Sequence, residues 1–126
     1  MQLNQDTGEG HYQIRGYDKG SIQVNQQKIS HSLIVTPDKL IDPWPPRSLA
    51  ELHPNHFLDL LALHPSIVLL GTGEQLVFPH PALLDVFYRK KIGIEVMNNG
   101  AACRTYTVLM SEGRQVAAAL LNRTGI

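Results

Sequence analysis

The sequence predicts an α/β domain: a mixed, mostly parallel central sheet covered by helices, with an added β-hairpin at its amino end. Three observations predict it. Residues Ile92 to Leu121 read as strand, helix and strand in unbroken succession. Ile67-Val68-Leu69-Leu70 is a continuous apolar run of strand length, as expected where both faces of a strand are covered. Between Tyr12 and Val24 apolar residues alternate at period two about a turn sequence. At 126 residues the chain fits one domain with an ordinary core. That domain is expected over 11–126, after a polar, fraying segment at 1–10.

Taken in order, Tyr12, Ile14 and Gly16 alternate with Gln13, Arg15 and Tyr17, Asp18-Lys19-Gly20 supplies a turn, and Ile22 and Val24 resume the alternation. Asn25-Gln26 turns into a third extended stretch, Gln27 to Ser30, and Leu33-Ile34-Val35 follows. The hairpin either forms an added layer or extends one edge of the main sheet. Asp42-Pro43-Trp44-Pro45-Pro46 is a loop of restricted backbone. Ser48, with Glu51 three residues on, predicts a capping box, and Asn55 a second cap before the apolar stripe of Phe57, Leu58, Leu60, Leu61 and Leu63. His64-Pro65 ends that helix. After the buried strand and Gly71-Thr72-Gly73, Gln75 to Phe78 reads as briefly extended. Pro81 opens a helix through Lys91 whose apolar face carries Leu83, Leu84, Phe87 and Tyr88. Ile94 and Val96 mark a strand, and Asn98-Asn99-Gly100 caps a helix with Cys103, Tyr106, Thr107 and Met110 on one face. Gly113 ends that helix, and Val116 to Leu121 is the last strand.

The 11 basic and 11 acidic side chains balance, which leaves no electrostatic footprint for nucleic acid. Arg89-Lys90-Lys91, the one basic run, suits the end of a helix. A single cysteine excludes an internal disulfide framework and a thiolate zinc cluster. MQLNQDTGEG has neither the order of a secretory signal nor that of a mitochondrial presequence, and every apolar run falls far short of a membrane span. A soluble, cytoplasmic protein without direct membrane insertion is expected.

Gly71-Thr72-Gly73 stands at the carboxyl end of a buried strand, where open α/β sheets place ligands. A dinucleotide fingerprint would require glycine at Leu76 and a helix starting at once, and neither is present. The bend Met97 to Gly100 holds the equivalent position on the next strand. If the two strands are neighbours, their loops form a shallow crevice rimmed by Thr72, Asn98, Asn99 and Arg104, suited to an anion or a peptide carboxylate. Cys103 sits near the start of a helix, where the dipole favours a thiolate, but it shares an apolar face with Tyr106 and Met110, which favours inert packing. His53, His56 and His64 are close in sequence, yet Pro54 breaks their alignment, so they read as loop histidines and not as metal ligands. Trp44 is either a plug over one end of the core or a partner-binding anchor. No nucleophile elbow, Walker lysine or close carboxylate pair is present. Catalytic residues are thus left unassigned, no cofactor is expected, and the balance leans against an enzyme.

Gly71-Thr72-Gly73, Gly93-Ile94-Glu95-Val96-Met97, Ala101-Ala102-Cys103-Arg104-Thr105-Tyr106 and Glu112-Gly113-Arg114-Gln115-Val116-Ala117-Ala118-Ala119-Leu120 carry a resemblance, as do Trp44 and the Val24-Asn25 turn. Together they resemble a small domain family that includes assembly factor 3 of mitochondrial respiratory complex I, an adipogenesis-associated human relative, and many short bacterial members. Asn98-Asn99 replaces an Asp-Thr, Thr107 an asparagine and Gln26 a turn glycine of that pattern. The resemblance implies three layers, with a mixed central sheet and an added β layer, and no catalytic residues. It favours a bacterial protein-binding, assembly-factor-like module whose partner is another protein. The alternative is a small-molecule or anion-binding protein, or an enzyme, using the crevice with Arg104, Tyr106 and Arg114 as polar groups.

Overall fold

The computed structural model describes residues 12–122. The expected fraying segment, Met1 to Gly10, lies outside them, as do His11 and the last four residues of the predicted domain.

Three short strands, β1 (Ile14–Asp18), β2 (Ser21–Val24) and β3 (Gln27–Ile29), form an antiparallel sheet of their own in the order β1-β2-β3. The hairpin is therefore an added layer. Its alternation differs from the sequence pattern, because the β1–β2 register shifts between Ile14 and Gly16. This bulge brings Tyr17, not Gly16, opposite the buried Ile22, while Ile14 faces the buried Val24. Gly20 and Asn25 take positive φ at the two turns, and the Asn25 side-chain carbonyl accepts the Gln13 N–H at 3.0 Å.

The second sheet contains β4 (Leu33–Val35), β5 (Leu40–Ile41), β6 (Ile67–Gly71), β7 (Gly93–Met97) and β8 (Val116–Leu120), in the order β5-β4-β8-β6-β7. β6 runs parallel to both β7 and β8, whereas β4 pairs antiparallel with β8 and β5. The run at Ile67 is thus an interior strand, as its unbroken apolar sequence predicts. β8 is buried along its whole length, and its three alanines keep it thin between two sets of large side chains.

Those sets form two cores, one on each face. Leu33, Val35, Leu69, Ala118 and Leu120 face the three-stranded sheet and α3 (Asn99–Ser111), while Ile34, Val68, Leu70, Ala117 and Ala119 face α1 (Phe57–Leu61), α2 (Asp85–Arg89) and Trp44. On the second face Phe57 and Phe87 meet edge to face, with ring centroids 4.8 Å apart. α3 buries Ala102, Cys103, Tyr106 and Met110, and the Tyr106 hydroxyl donates to the Tyr12 carbonyl at 2.7 Å. Thr107 is off this face: exposed, it donates back to the Cys103 carbonyl at 3.1 Å.

Several local expectations are corrected. The predicted helices before β6 and β7 are each a 3-10 turn followed by five α-helical residues, with turns at Pro54–His56 and Pro81–Leu84. Ser48 makes no capping bond. Glu51 accepts instead from the Arg47 N–H and guanidinium, around a 3-10 turn at Leu49–Glu51. His53, not Asn55, caps the next turn, with His53 Nδ1 accepting the Asn55 N–H and His56 Nδ1 the His53 N–H. Gln75 to Phe78 joins no sheet, since the Thr72 hydroxyl donates to the Gln75 carbonyl at 2.7 Å and accepts the Val77 N–H at 3.1 Å, curling the segment outward.

Candidate functional site

β6 and β7 are adjacent and parallel, so the loops after them meet as the sequence requires for a crevice. Residues 72–84 leave toward the face that carries α2, and α3 starts toward the opposite face. In doubly wound sheets this divergence opens a ligand crevice. Here a side chain of the protein occupies it.

Asn99 is fully buried at this junction. Its backbone N–H donates to the Gly73 carbonyl at 2.8 Å, its side-chain oxygen accepts the Gly73 N–H at 3.1 Å, and its side-chain nitrogen donates to the Leu121 carbonyl at 2.8 Å. One residue therefore ties together the ends of β6 and β8 and the first turn of α3. Gly71 makes room for it: a Cβ there would fall 2.2 Å from Asn99 Oδ1 and 2.7 Å from Leu120 Cδ2. The Thr72 N–H donates to the Met97 carbonyl at 3.0 Å, and Asn98 caps α3 by accepting the Ala101 N–H at 2.8 Å.

Of the residues singled out from sequence, Gly71, Thr72, Gly73, Asn98 and Asn99 come together. Arg104 stands beside Asn98, whose Oδ1 is 3.7 Å from the Cβ position of Gly100. Its guanidinium lies over Gly100, with Nη1 3.4 Å from where a Cβ of that glycine would stand, in a groove shared with β1. Beside the junction a shallow depression of about 270 Å³ is rimmed by Thr72, Gly73, Arg47 and Asn122. Arg47 is already bound to Glu51 there, at 2.9 Å.

Cys103 is 5% exposed, and burial pushes its thiol up to about 12, with Arg104 pulling only weakly the other way. The helix start does not produce a thiolate, because desolvation outweighs the dipole and the guanidinium. We expect the native protein to resist maleimide or iodoacetamide near neutral pH and to label fully in denaturant. A folded thiol that ionises harder than an unfolded one lowers stability as pH rises. This loss begins near the ordinary value of 9.0 and is complete at about 12, which a series of urea melts across that interval would read. Tyr106 moves in the same direction through burial, with Asp38 adding to it.

Trp44 is 1% exposed, and its indole N–H donates to the His56 carbonyl at 3.1 Å. It is a core side chain and not an exposed anchor, because the flanking prolines turn the loop so that the indole folds onto Ile34, Phe57 and Ala119 in the second core. His53 and His56 spend their Nδ1 atoms on the turn that carries them, with ring centroids 6.5 Å apart. Sequence reasoning missed the exposed run Leu76-Val77-Phe78, at 47%, 48% and 72%. Its signal was present in Thr72, a residue that closes short turns, four positions before three apolar residues.

Residues 14–121 match the family described as "Protein of unknown function (DUF498/DUF598)". The chain belongs to that family. Solved structures are similar to this chain: a Xanthomonas campestris protein determined by NMR is 44% identical, with a TM-score of 0.82 over 97% of this chain and 92% of its own. The NADH dehydrogenase (ubiquinone) 1 alpha subcomplex assembly factor 3 of Xenopus tropicalis is 30% identical over 121 residues, 94% of this chain. The chain spans 65% of the length of that factor. A Francisella tularensis protein called "13 kDa major membrane protein" is 24% identical over 122 residues, covering 96% of this chain and 99% of the relative. Among the described residues no helix is long and apolar enough to cross a membrane.

Proposed function

We propose that this DUF498/DUF598 member is a protein-binding module that holds a partner during assembly of a membrane-bound respiratory complex, acting from the cytoplasmic side. The observation that carries this reading is the Leu76-Val77-Phe78 loop, three consecutive apolar side chains held in solvent by a hydrogen-bonded turn. Contiguous exposed apolar surface on a rigid support is what a partner covers, and a large aromatic such as Phe78 suits the centre of such a contact. A relation to the complex I assembly factors, which extends across nearly all of this chain, supports the same reading. The balanced charge and the self-satisfied polar groups of the β6–β7 junction fit a scaffold better than a catalyst.

The test is purification of the tagged protein from its source cells, followed by native mass spectrometry. We expect a fixed-ratio complex with a subunit or precursor of a respiratory complex. A Leu76→Ser, Phe78→Ser double variant should lose that subunit at least tenfold while its thermal midpoint stays within a few degrees, because neither side chain belongs to a core. Recovery of the wild type alone, or an undiminished complex with the double variant, would refute the proposal.

A further inference from the structure

A second surface carries chemistry for which a protein-holding loop has no use. Between β1 and α3 runs an open groove of about 400 Å³, within the range of small-molecule sites. β1 supplies Arg15, Gly16 and Tyr17; α3 supplies Gly100, Cys103 and Arg104. The β1 bulge that turns Tyr17 inward also leaves Arg15 and Gly16 at the groove, on the edge of β1 that pairs with no strand among the described residues.

The two arginines are the telling feature. Elsewhere Arg47 and Arg89 each pair with a carboxylate four residues away, at 2.9 and 3.0 Å. Arg15 and Arg104 come from distant parts of the chain and meet in one groove, with no carboxylate at ion-pair distance among the described residues. Burial pushes the Tyr17 phenol up, with Glu74, Cys103 and Asp18 adding to it. Guanidinium forks fit carboxylate oxygens two at a time. The rest of the lining is uncharged: the side of the Tyr17 ring, which lies 3.6 Å from the Cβ position of Gly100, the protonated Cys103, Ile14, Thr107, and two glycines that leave backbone open. Above Gly16 no atom of the described residues beyond its two chain neighbours comes within 4 Å of a built Cβ, so that side of the groove is open among them.

We propose that this groove binds a small organic acid, its carboxylate held by Arg15 and Arg104 and its apolar body lying along Tyr17 and the glycine backbone. The site is separate from the Leu76–Phe78 loop, and its failure would leave the partner reading untouched. Benzoate, with inorganic phosphate as the comparison anion, is titrated into the full chain while amide and arginine side-chain NMR signals are followed. Benzoate should shift Gly16, Tyr17, Gly100 and both arginine Nε signals along one saturable curve, and phosphate should bind at least tenfold more weakly. Arg104→Gln should weaken binding at least tenfold, Arg104→Lys by less, and Arg15→Gln by an intermediate factor. All three leave distant amides and the thermal midpoint unchanged, since among the described residues neither arginine is tied to another side chain. Absence of a saturable shift, equal binding of phosphate, or undiminished benzoate binding by the Arg15→Gln, Arg104→Gln double variant would overturn the proposal.

Discussion

Trp44→Ala is expected to lower the folding free energy by about 3–5 kcal/mol, the cost of removing a large aromatic from a closed core. The side chain is 1% exposed, packs in the core that contains Phe57, Leu60 and Phe87, and holds the His56 carbonyl through its indole N–H. Trp44→Phe keeps most of the packing but leaves that carbonyl without its donor, and should cost about 1–3 kcal/mol. Equilibrium urea melts followed by far-ultraviolet circular dichroism would measure both. Trp44 is also the one tryptophan of the chain, so its fluorescence reports this site alone. Emission of the native protein should be blue-shifted and resist acrylamide quenching, with both properties lost on unfolding. A stable Trp44→Ala protein with a readily quenched parent tryptophan would return the residue to the role of a surface anchor.

The buried strand at Ile67, the alternating hairpin, the cap at Asn98 and the stop at Gly113 were legible in the sequence because each depends on residues near one another in the chain. What was not legible depends on meetings between distant segments. The bulge at Arg15 shifts which residue of β1 faces the core, and nothing within β1 itself marks it: Gly16 alternates with Ile14 as well as Tyr17 could. The short α1 and α2 carry apolar stripes long enough for full helices, but the second core is closed by their first turns and needs no more. At the candidate site β6 and β7 are neighbours, so the loops after them lie side by side. The role of Asn99 was hidden because its side-chain nitrogen has its acceptor on Leu121, 22 residues away and one strand beyond the neighbour strand that the sequence suggested. Arg104 follows the same bend and stands beside Asn98. One turn of helix was enough to carry it over Gly100 toward β1, where Arg15, far away in sequence, also lies.

Asn99→Ala should be the other large perturbation, and pairing it with Gly71→Ala tests whether the β6–β7 junction is shut by design of these two residues. Asn99→Ala leaves the Leu121 carbonyl and the Gly73 N–H without their partners, at about 1–3 kcal/mol for each group that water does not reach. Gly71→Ala drives a methyl group to 2.2 Å from Asn99 Oδ1, an overpacking that costs about 1–3 kcal/mol or more. In the double variant the amide that obstructs the methyl is gone. The remaining clash is with Leu120 Cδ2, the tip of a side chain that can rotate away. The combined cost should therefore fall below the sum of the single costs by at least about 1 kcal/mol, within the range of residues in direct contact. Thermal and urea melts of the four proteins would complete the cycle. Costs that add to within about 0.5 kcal/mol would mean that Asn99 does not fill the space beside Gly71. The crevice between the Gly71–Gly73 and Asn98–Asn99 loops would then be open to a ligand after all. A strong coupling makes it a closed seam, and leaves Arg104, beside Asn98, to serve the groove that it lines with β1.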